Sequence, residues 1–470
     1  MRKVSTSGTA TLDDFIAPRL SLAERFAAGR SLRARQPRTE HAQFEVRGPG
    51  RDVVAMLLAQ ARSRLAPLVP VRHARMLESP FSYLRGSAAV MAADLVGTPL
   101  TGLSVQACGD MHLSNFGAYA TPERQLVFGI NDFDETQSGP WEWDLKRLVA
   151  SAVVAGRFMG IDRADQQAAA RAVVSSYRQR VREFAKAGHL ALWYQRIDQD
   201  ALLAAMTGEP RERARDILRK ATRRNHLQVL DRMTELVDNE QRIIEQRPLI
   251  VRATHTSTGR PIAEAVAIFI ASYLPSLAPD RSALLHRYRL VDVAQKVVGI
   301  GSVGTRCWVA YLTGVDKHDP LFLQVKEAQA SVLAPHFKAA LPVRNHGYRV
   351  VVGQRMIQGS PDIFLGWGEL DGLHFYVRQL RDMKGGVDFQ PGGKAAHLQA
   401  HCVNCGWALA LAHAKSGDAA MIAGYVGKSE QLDDALVRFG EAYADQTERD
   451  YEALRAASLS GRLPTSQIGG

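Results

Sequence analysis

The stretch Gly109–Gly117, GDMHLSNFG, follows directly on an apolar run, Leu103–Cys108 (LSVQAC), and Asn131–Glu135, NDFDE, follows on a second, Gln125–Ile130 (QLVFGI). Both runs read as short strands bounded by polar loops. Loops at strand ends are where a rigid scaffold presents functional side chains. Asp110 and Asn115 are five residues apart, and Asp132 comes 22 residues after Asp110. Phosphoryl transfer requires one carboxylate to orient the attacking hydroxyl, and an amide oxygen and a second carboxylate to hold a metal on the nucleotide phosphates. Asp110, Asn115 and Asp132 supply that set, with Asp134 as a further candidate metal ligand.

Working outward, the first 45 residues are rich in Ser, Thr, Arg and Gly and read as a flexible or docking arm. Apolar residues recur at helical spacing from Asp52 to about Leu95. A long helix is expected from near Trp143, and Asp162 can cap the next, whose apolar face is Ala170, Val173, Val174, Tyr177, Val181 and Phe184. Residues 200–247 read as helical and are very basic from Arg211 to Arg224. Between Leu290 and Val377 the texture turns to strands: QKVVGIG, TRCWVAYL, LFLQVKEA, YRVVVGQRM and LHFYVRQL alternate with turn signals. A helical C-terminal region is expected from near His397.

The strand-rich block carries GIGSVG, in which Gly299, Gly301 and Gly304 form a loop between two strands, and it places Lys326 inside an apolar strand. Glycines let backbone amides approach phosphate closely, and a strand lysine can reach across a hairpin to the same anion. The bland alternative is a tight hairpin with an edge-strand lysine. Glu327 belongs on the opposite strand face. Residues 328–342 contain no Asp or Glu, so no acidic partner for Lys326 can be named from them.

GDMHLSN resembles the GDxHxxN catalytic loop of the aminoglycoside-phosphotransferase branch of the kinase-like superfamily. NDFDE resembles the metal-binding strand end of those enzymes, and WEWDLKRL, Trp141–Leu148, the helix that follows it, with Asp144 at the matching acidic position. The wider strings FSYLRGSAAVMAADL, GPWEWDLKRLVAS and VRQLRDMKG are similar to the bacterial family called domain of unknown function 2252, over roughly residues 40–455. The resemblance implies an α+β, two-lobed protein-kinase-like fold, with Asp110 as the catalytic residue, Asn115, Asp132 and Asp134 at the metal, and Gly299, Gly301, Gly304 and Lys326 on the nucleotide phosphates. Cys108 stands where such kinases commonly have a histidine that supports the loop. Before Asp110 the only lysine is Lys3, so the small lobe must follow the catalytic motifs, as in a circular permutation. The expected division is an arm over 1–45, a helical large lobe over 46–285, a β-rich small lobe over 286–385, and a C-terminal helical region over 386–470 packed on the large lobe.

Other signals are weaker. His112 reads as a residue packed within its loop, and Arg85 as a support for the loop at Asp110. His397, His401 and Cys405 share a helix face with Cys402 nearby, which suits buried helix positions better than zinc. Arg355, Asp362, Arg378, Arg381, Asp382 and Lys384 read as a buried ion-pair network or an anion site. The net charge of +11 and the basic segment Arg211–Arg224 suit an anionic ligand, but Glu212 and Asp216 interrupt the segment and no base-reading module accompanies it, so nucleic acid is not expected as a partner. Four cysteines in 470 residues exclude a disulfide scaffold and suit a reducing cytoplasm. Neither a membrane span nor a secretory leader is expected. The composite expectation is an ATP- and Mg²⁺-dependent phosphotransferase acting on an unidentified hydroxyl. The alternatives are a non-catalytic nucleotide-binding scaffold of the same fold and a metal-dependent phosphoesterase. The acceptor, the oligomeric state and the choice between phosphoryl and AMP transfer are not written in the sequence.

Overall fold

A computed structural model describes residues 15–45, 50–223, 226–237, 240–297, 299–316, 318–337, 343–380 and 384–466, the side chains of 226–228 excepted. Lys3 and the first fourteen residues of the arm, Arg224, Arg381 and Asp382 lie outside them. Helix α1 (Leu22–Arg35) starts at a capping box: the Ser21 hydroxyl accepts the Glu24 amide while the Glu24 carboxylate accepts the Ser21 amide. Short helices follow up to Leu95, among them Val69–Met76 and Pro80–Gly86. Strands β1 (Ser104–Ala107), β2 (Phe116–Ala120), β3 (Leu126–Ile130) and β4 (Gln137–Pro140) lead into α2 (Trp141–Met159) and α3 (Arg163–Phe184). Then come β5 (Ile197–Asp198), α4 (Gly208–Arg223), β6 (Ile250–Val251), α5 (Ile262–Tyr273), β7 (Arg289–Lys296), β8 (Cys307–Thr313) and β9 (Pro320–Glu327). The chain closes with α6 (His346–Gln358), β10 (Gly366–Leu370), β11 (Leu373–Gln379), β12 (Gly385–Gly386), α7 (Ala395–Ser416), α8 (Ala419–Val426) and α9 (Gln431–Leu459).

The result is a mixed α+β molecule with several separate sheets. Strands β1 and β4 form an antiparallel pair, and β12-β2-β3-β5 a small four-stranded sheet. The larger sheet is antiparallel with order β10-β11-β9-β8-β7-β6. It reaches back to Ile250, and α5 packs on β10, so elements well before residue 286 share this sheet's core. Helix α2 is buried along almost its whole length, between α3 and α9, which explains its near-continuous apolar run from Leu148 to Gly156. Asp162 caps α3 by accepting the Asp165 amide, and the six apolar positions expected on its inner face are all buried.

Two readings are corrected. YRVVVGQRM is not a strand but part of α6: Asn345 caps it by accepting the Tyr348 amide, and Val350 and Val351 are both fully buried. A helix enclosed on several sides shows no single apolar stripe, and its valines then mimic a strand. Within 200–247, the chain after Met233 is a β-hairpin, Thr234–Val237 against Glu240–Ile243, rather than helix. The described part of the arm is docked: Arg33 donates to the Tyr425 and Gly424 carbonyls and Arg38 to the Val426 carbonyl, closing the C-terminal end of α8.

Helix α7 packs closely along α3. A Cβ at Gly406 would lie 2.3 Å from the Val173 carbonyl oxygen, so the approach of the two backbones requires glycine there. Gly406→Ala is expected to cost about 1–3 kcal/mol, read as a lower midpoint in thermal or denaturant unfolding.

Candidate functional site

Residues 108–115 link β1 to β2, and residues 131–136 link β3 to β4, so the sheet pairings bring the two motif loops side by side. The Asn131 amide donates to the Asn115 carbonyl at 3.0 Å. Gly109 has φ +77°, and a Cβ on it would sit 2.7 Å from the Glu135 carbonyl oxygen, so both conformation and contact require glycine at the head of GDMH. The loop is hung from α2: the Asp144 carboxylate accepts the Cys108 amide at 2.6 Å and the Gly109 amide at 2.9 Å. With its proton on Nε2, His413 donates to Asp144 (3.3 Å) and accepts the Tyr177 hydroxyl on Nδ1 (2.9 Å). Asp144 and His413 are both buried.

Asp110 receives Arg147 on its Oδ1, at 2.9 Å from Nε and 2.5 Å from Nη2. Burial raises the Asp110 carboxyl and Arg147 opposes this, with a net rise above the usual aspartate range. The support expected from Arg85 thus comes from Arg147, three residues after Asp144 and able to reach the same loop from the same helix. His112 is buried with Nε2 at 3.8 Å from Asp110 Oδ2, and burial holds its imidazole neutral. The Asn115 side-chain NH₂ donates to the Asp110 carbonyl at 2.6 Å, which frees the amide oxygen for a ligand.

Lys326 finds its acid in Asp134, 192 residues earlier. Cys307, Lys326 and Tyr376 are directly opposed on β8, β9 and β11 and therefore share one face of the sheet. From that face Lys326 donates to Asp134 Oδ2, and the Tyr376 hydroxyl donates to Asp134 Oδ1 at 2.7 Å. The Ser302 hydroxyl adds a 3.0 Å bond to Oδ2. Burial opposes both charges, but the pairing overcomes it: the Asp134 carboxyl lies below its usual range and the Lys326 ammonium above its own. Linkage then makes the pair stabilising from above the unfolded aspartate value to below the unfolded lysine value, lost at lower pH as Asp134 protonates and at higher pH as Lys326 deprotonates. Glu327 faces the other way and bonds Arg306. Arg349 of α6 ties the motif turn down, donating to the carbonyls of Asp134, Thr136 and Gln329.

Asp110, Asn115, Asp132, Gly299, Gly301 and Lys326 line a single cleft of about 840 Å³. Two expected members do not. Asp134 has both carboxylate oxygens engaged and serves as the counter-ion of Lys326, and Gly304 (φ +90°) turns toward Arg64, whose Nη1 donates to the Val303 carbonyl at 2.6 Å. Among the described residues the cleft wall holds eight Arg or Lys and three Asp, which favours a polyanion. Arg378, Lys384 and Asp362 are part of that wall, so the C-terminal charge cluster contributes to an anion-compatible surface. His401, Cys402 and Cys405 are buried helix positions, and among the described residues no three His, Cys, Asp or Glu group together for a metal. The cleft does offer the Asp132 carboxylate and the Asn115 amide oxygen. Mg²⁺, which keeps several waters and takes only one or two carboxylates besides substrate phosphates, fits such a sparse oxygen set.

Sequence reasoning missed Arg147, Ser302, Arg349 and Tyr376. Only Arg147 carried a local signal, its spacing from Asp144. Asp144→Asn would set an amide NH₂ against a backbone N–H, and is expected to cost about 3–5 kcal/mol in unfolding measurements.

Among the described residues no helix is long and apolar enough to cross a membrane. Comparison with curated proteins and with solved structures gives no match. Residues 64–457 match the model of a family described as uncharacterised proteins conserved in bacteria. With most of its length covered by that match, the chain belongs to the bacterial family of domain of unknown function 2252.

Proposed function

We propose that the protein is an ATP- and Mg²⁺-dependent phosphotransferase of two-lobed, kinase-like design in which the small lobe follows the catalytic motifs. The observation that carries this reading is the convergence of Asp110, Asn115, Asp132, the Gly299–Gly301 turn and Lys326 on one basic cleft, from segments far apart in the chain. The order within the larger sheet supports it: a glycine turn between β7 and β8, a buried lysine on β9, and a helix, α6, before β10. Kinases place a glycine-rich loop over the phosphates and a strand lysine on them in the same sequence of elements. The difference lies in the lysine's acid, which comes from the motif turn at Asp134 and not from the helix.

In this reading Asp110 works through Oδ2. Arg147 fixes the carboxylate through Oδ1 and leaves the second oxygen to accept the proton of the acceptor hydroxyl. Asp132 and the Asn115 amide oxygen would hold the metal, which when bound neutralises charge on the β- and γ-phosphate oxygens. Lys326, kept charged by Asp134, and the glycine turn would bind the phosphates. The phosphoesterase alternative lacks a cluster of histidines and carboxylates among the described residues.

Asp110→Ala is expected to lower transfer by about 10²–10⁴-fold while sparing nucleotide binding. Asp132→Ala should weaken only the Mg²⁺-dependent part of binding, and Lys326→Ala the binding of ATP itself. Wild-type protein with ATP at about 100 times its Kd should gain about 2.7 kcal/mol of stability in a thermal-shift titration. Equal turnover in the Asp110 and Asp132 variants would sink the assignment. Because Asp110 is shifted upward, the acid limb of kcat should fall at a pH above that of an ordinary aspartate, and Arg147→Met should move it higher still.

A further inference from the structure

Most cations around the cleft already have a protein partner. Arg147 holds Asp110, Lys326 holds Asp134, and Arg378 donates to the Gln324 side chain at 3.0 Å and the Asn131 carbonyl at 3.2 Å. Arg85 is different. It lines the same cleft from the end of the helix Pro80–Gly86, and among the described residues its guanidinium makes no hydrogen bond or ion pair. Its one close companion is the Phe81 ring, 6.0 Å away, and its Nε is enclosed without an acceptor. Asp110 and Asp132 act on it through the field, as do Glu78 and Asp388, yet none reaches ion-pair distance.

A Cβ at Gly301 would lie 3.7 Å from the Arg85 main-chain carbonyl and 3.9 Å from Asp110 Oδ2, so the backbone at Arg85, the glycine turn and the free oxygen of the proposed base are neighbours, and Arg85 lines the same cleft as both. Arg75 lines the cleft from the preceding helix, Val69–Met76. A guanidinium desolvated without a counter-ion is costly, unless a ligand completes it. In the phosphotransferase reading the glycine turn and Lys326 take the phosphates of the nucleotide, which leaves the Arg85 guanidinium to another anion. The planar guanidinium fork matches the two oxygens of a phosphate or carboxylate.

We propose that the hydroxyl acceptor is itself anionic and that its oxyanion group is held by Arg85 beside Asp110. This rests on the phosphotransferase reading for the role of acceptor, but the anion site can be tested apart from it. Full-length protein saturated with Mg²⁺ and a non-hydrolysable ATP analogue is titrated with inorganic phosphate, and separately with acetate, by calorimetry. The same titrations are run without nucleotide. Wild type should bind at least one of the two anions. Arg85→Gln should weaken that binding by about tenfold or more while changing nucleotide affinity less than twofold, and Arg85→Lys should fall between. Unliganded thermal midpoints of both variants establish that they are folded. Anion binding that survives Arg85→Gln overturns the proposal, as does an equal loss of nucleotide affinity, which would place Arg85 on the γ-phosphate. No nucleotide binding by wild type would remove the phosphotransferase reading and with it the acceptor role. Arg85-dependent anion binding would then support the anion site alone.

Discussion

The Asp134 carboxylate is the junction on which the site depends. It belongs to the turn after β3, yet its partners are Lys326 and Tyr376 on the larger sheet and Ser302 in the glycine turn. Arg349 holds the main chain of the same residue from α6. One half-buried acid therefore fixes the distance between the motif loops and the sheet. Removing one member of such a pair leaves a buried charge uncompensated, at about 3–5 kcal/mol, whereas each bond taken alone would count for far less. The geometry also keeps Lys326 cationic inside the protein, as the proposed phosphate-binding role would require.

A second acid, Asp144, does comparable work behind the cleft. It satisfies two backbone amides of the loop that carries Asp110, where those donors would otherwise be buried and unpaired. His413 completes its hydrogen bonding from α7, so the C-terminal helices contribute to the motif loop as well as to the core. Cys108 is buried at the head of the loop, and support for the loop comes from Asp144, His413 and Arg147.

Local pattern made much of the fold legible. The strands before each motif, the Asp162 cap, the inner face of α3 and the strands flanking GIGSVG all follow from periodicity and turn chemistry. Helix α6 defeated that reading because its valines are buried on several sides and leave no stripe. The cleft was legible where residue type at short spacing carries the signal, as with Asp110, Asn115 and Asp132, which the fold brings to one wall. It was not legible where contacts close over long separations. Asp134 looked like a metal ligand beside Asp132, and only the folded chain turns it toward Lys326. Gly304 matched a glycine pattern, but Arg64 draws that end of the turn away from the cleft. Arg85, expected to brace a loop, instead stands in the cleft wall with no ion-pair partner among the described residues.

In the proposed reading this cleft binds a metal–nucleotide complex between the motif loops and the glycine turn. Its most direct test is a crystal structure with Mn²⁺ and a non-hydrolysable ATP analogue, with the metal located by anomalous scattering. A Mn²⁺ peak is expected between Asn115 and Asp132, with phosphates against Gly299–Gly301 and Lys326. A metal or nucleotide bound elsewhere, with this cleft empty at saturating ligand, would contradict it.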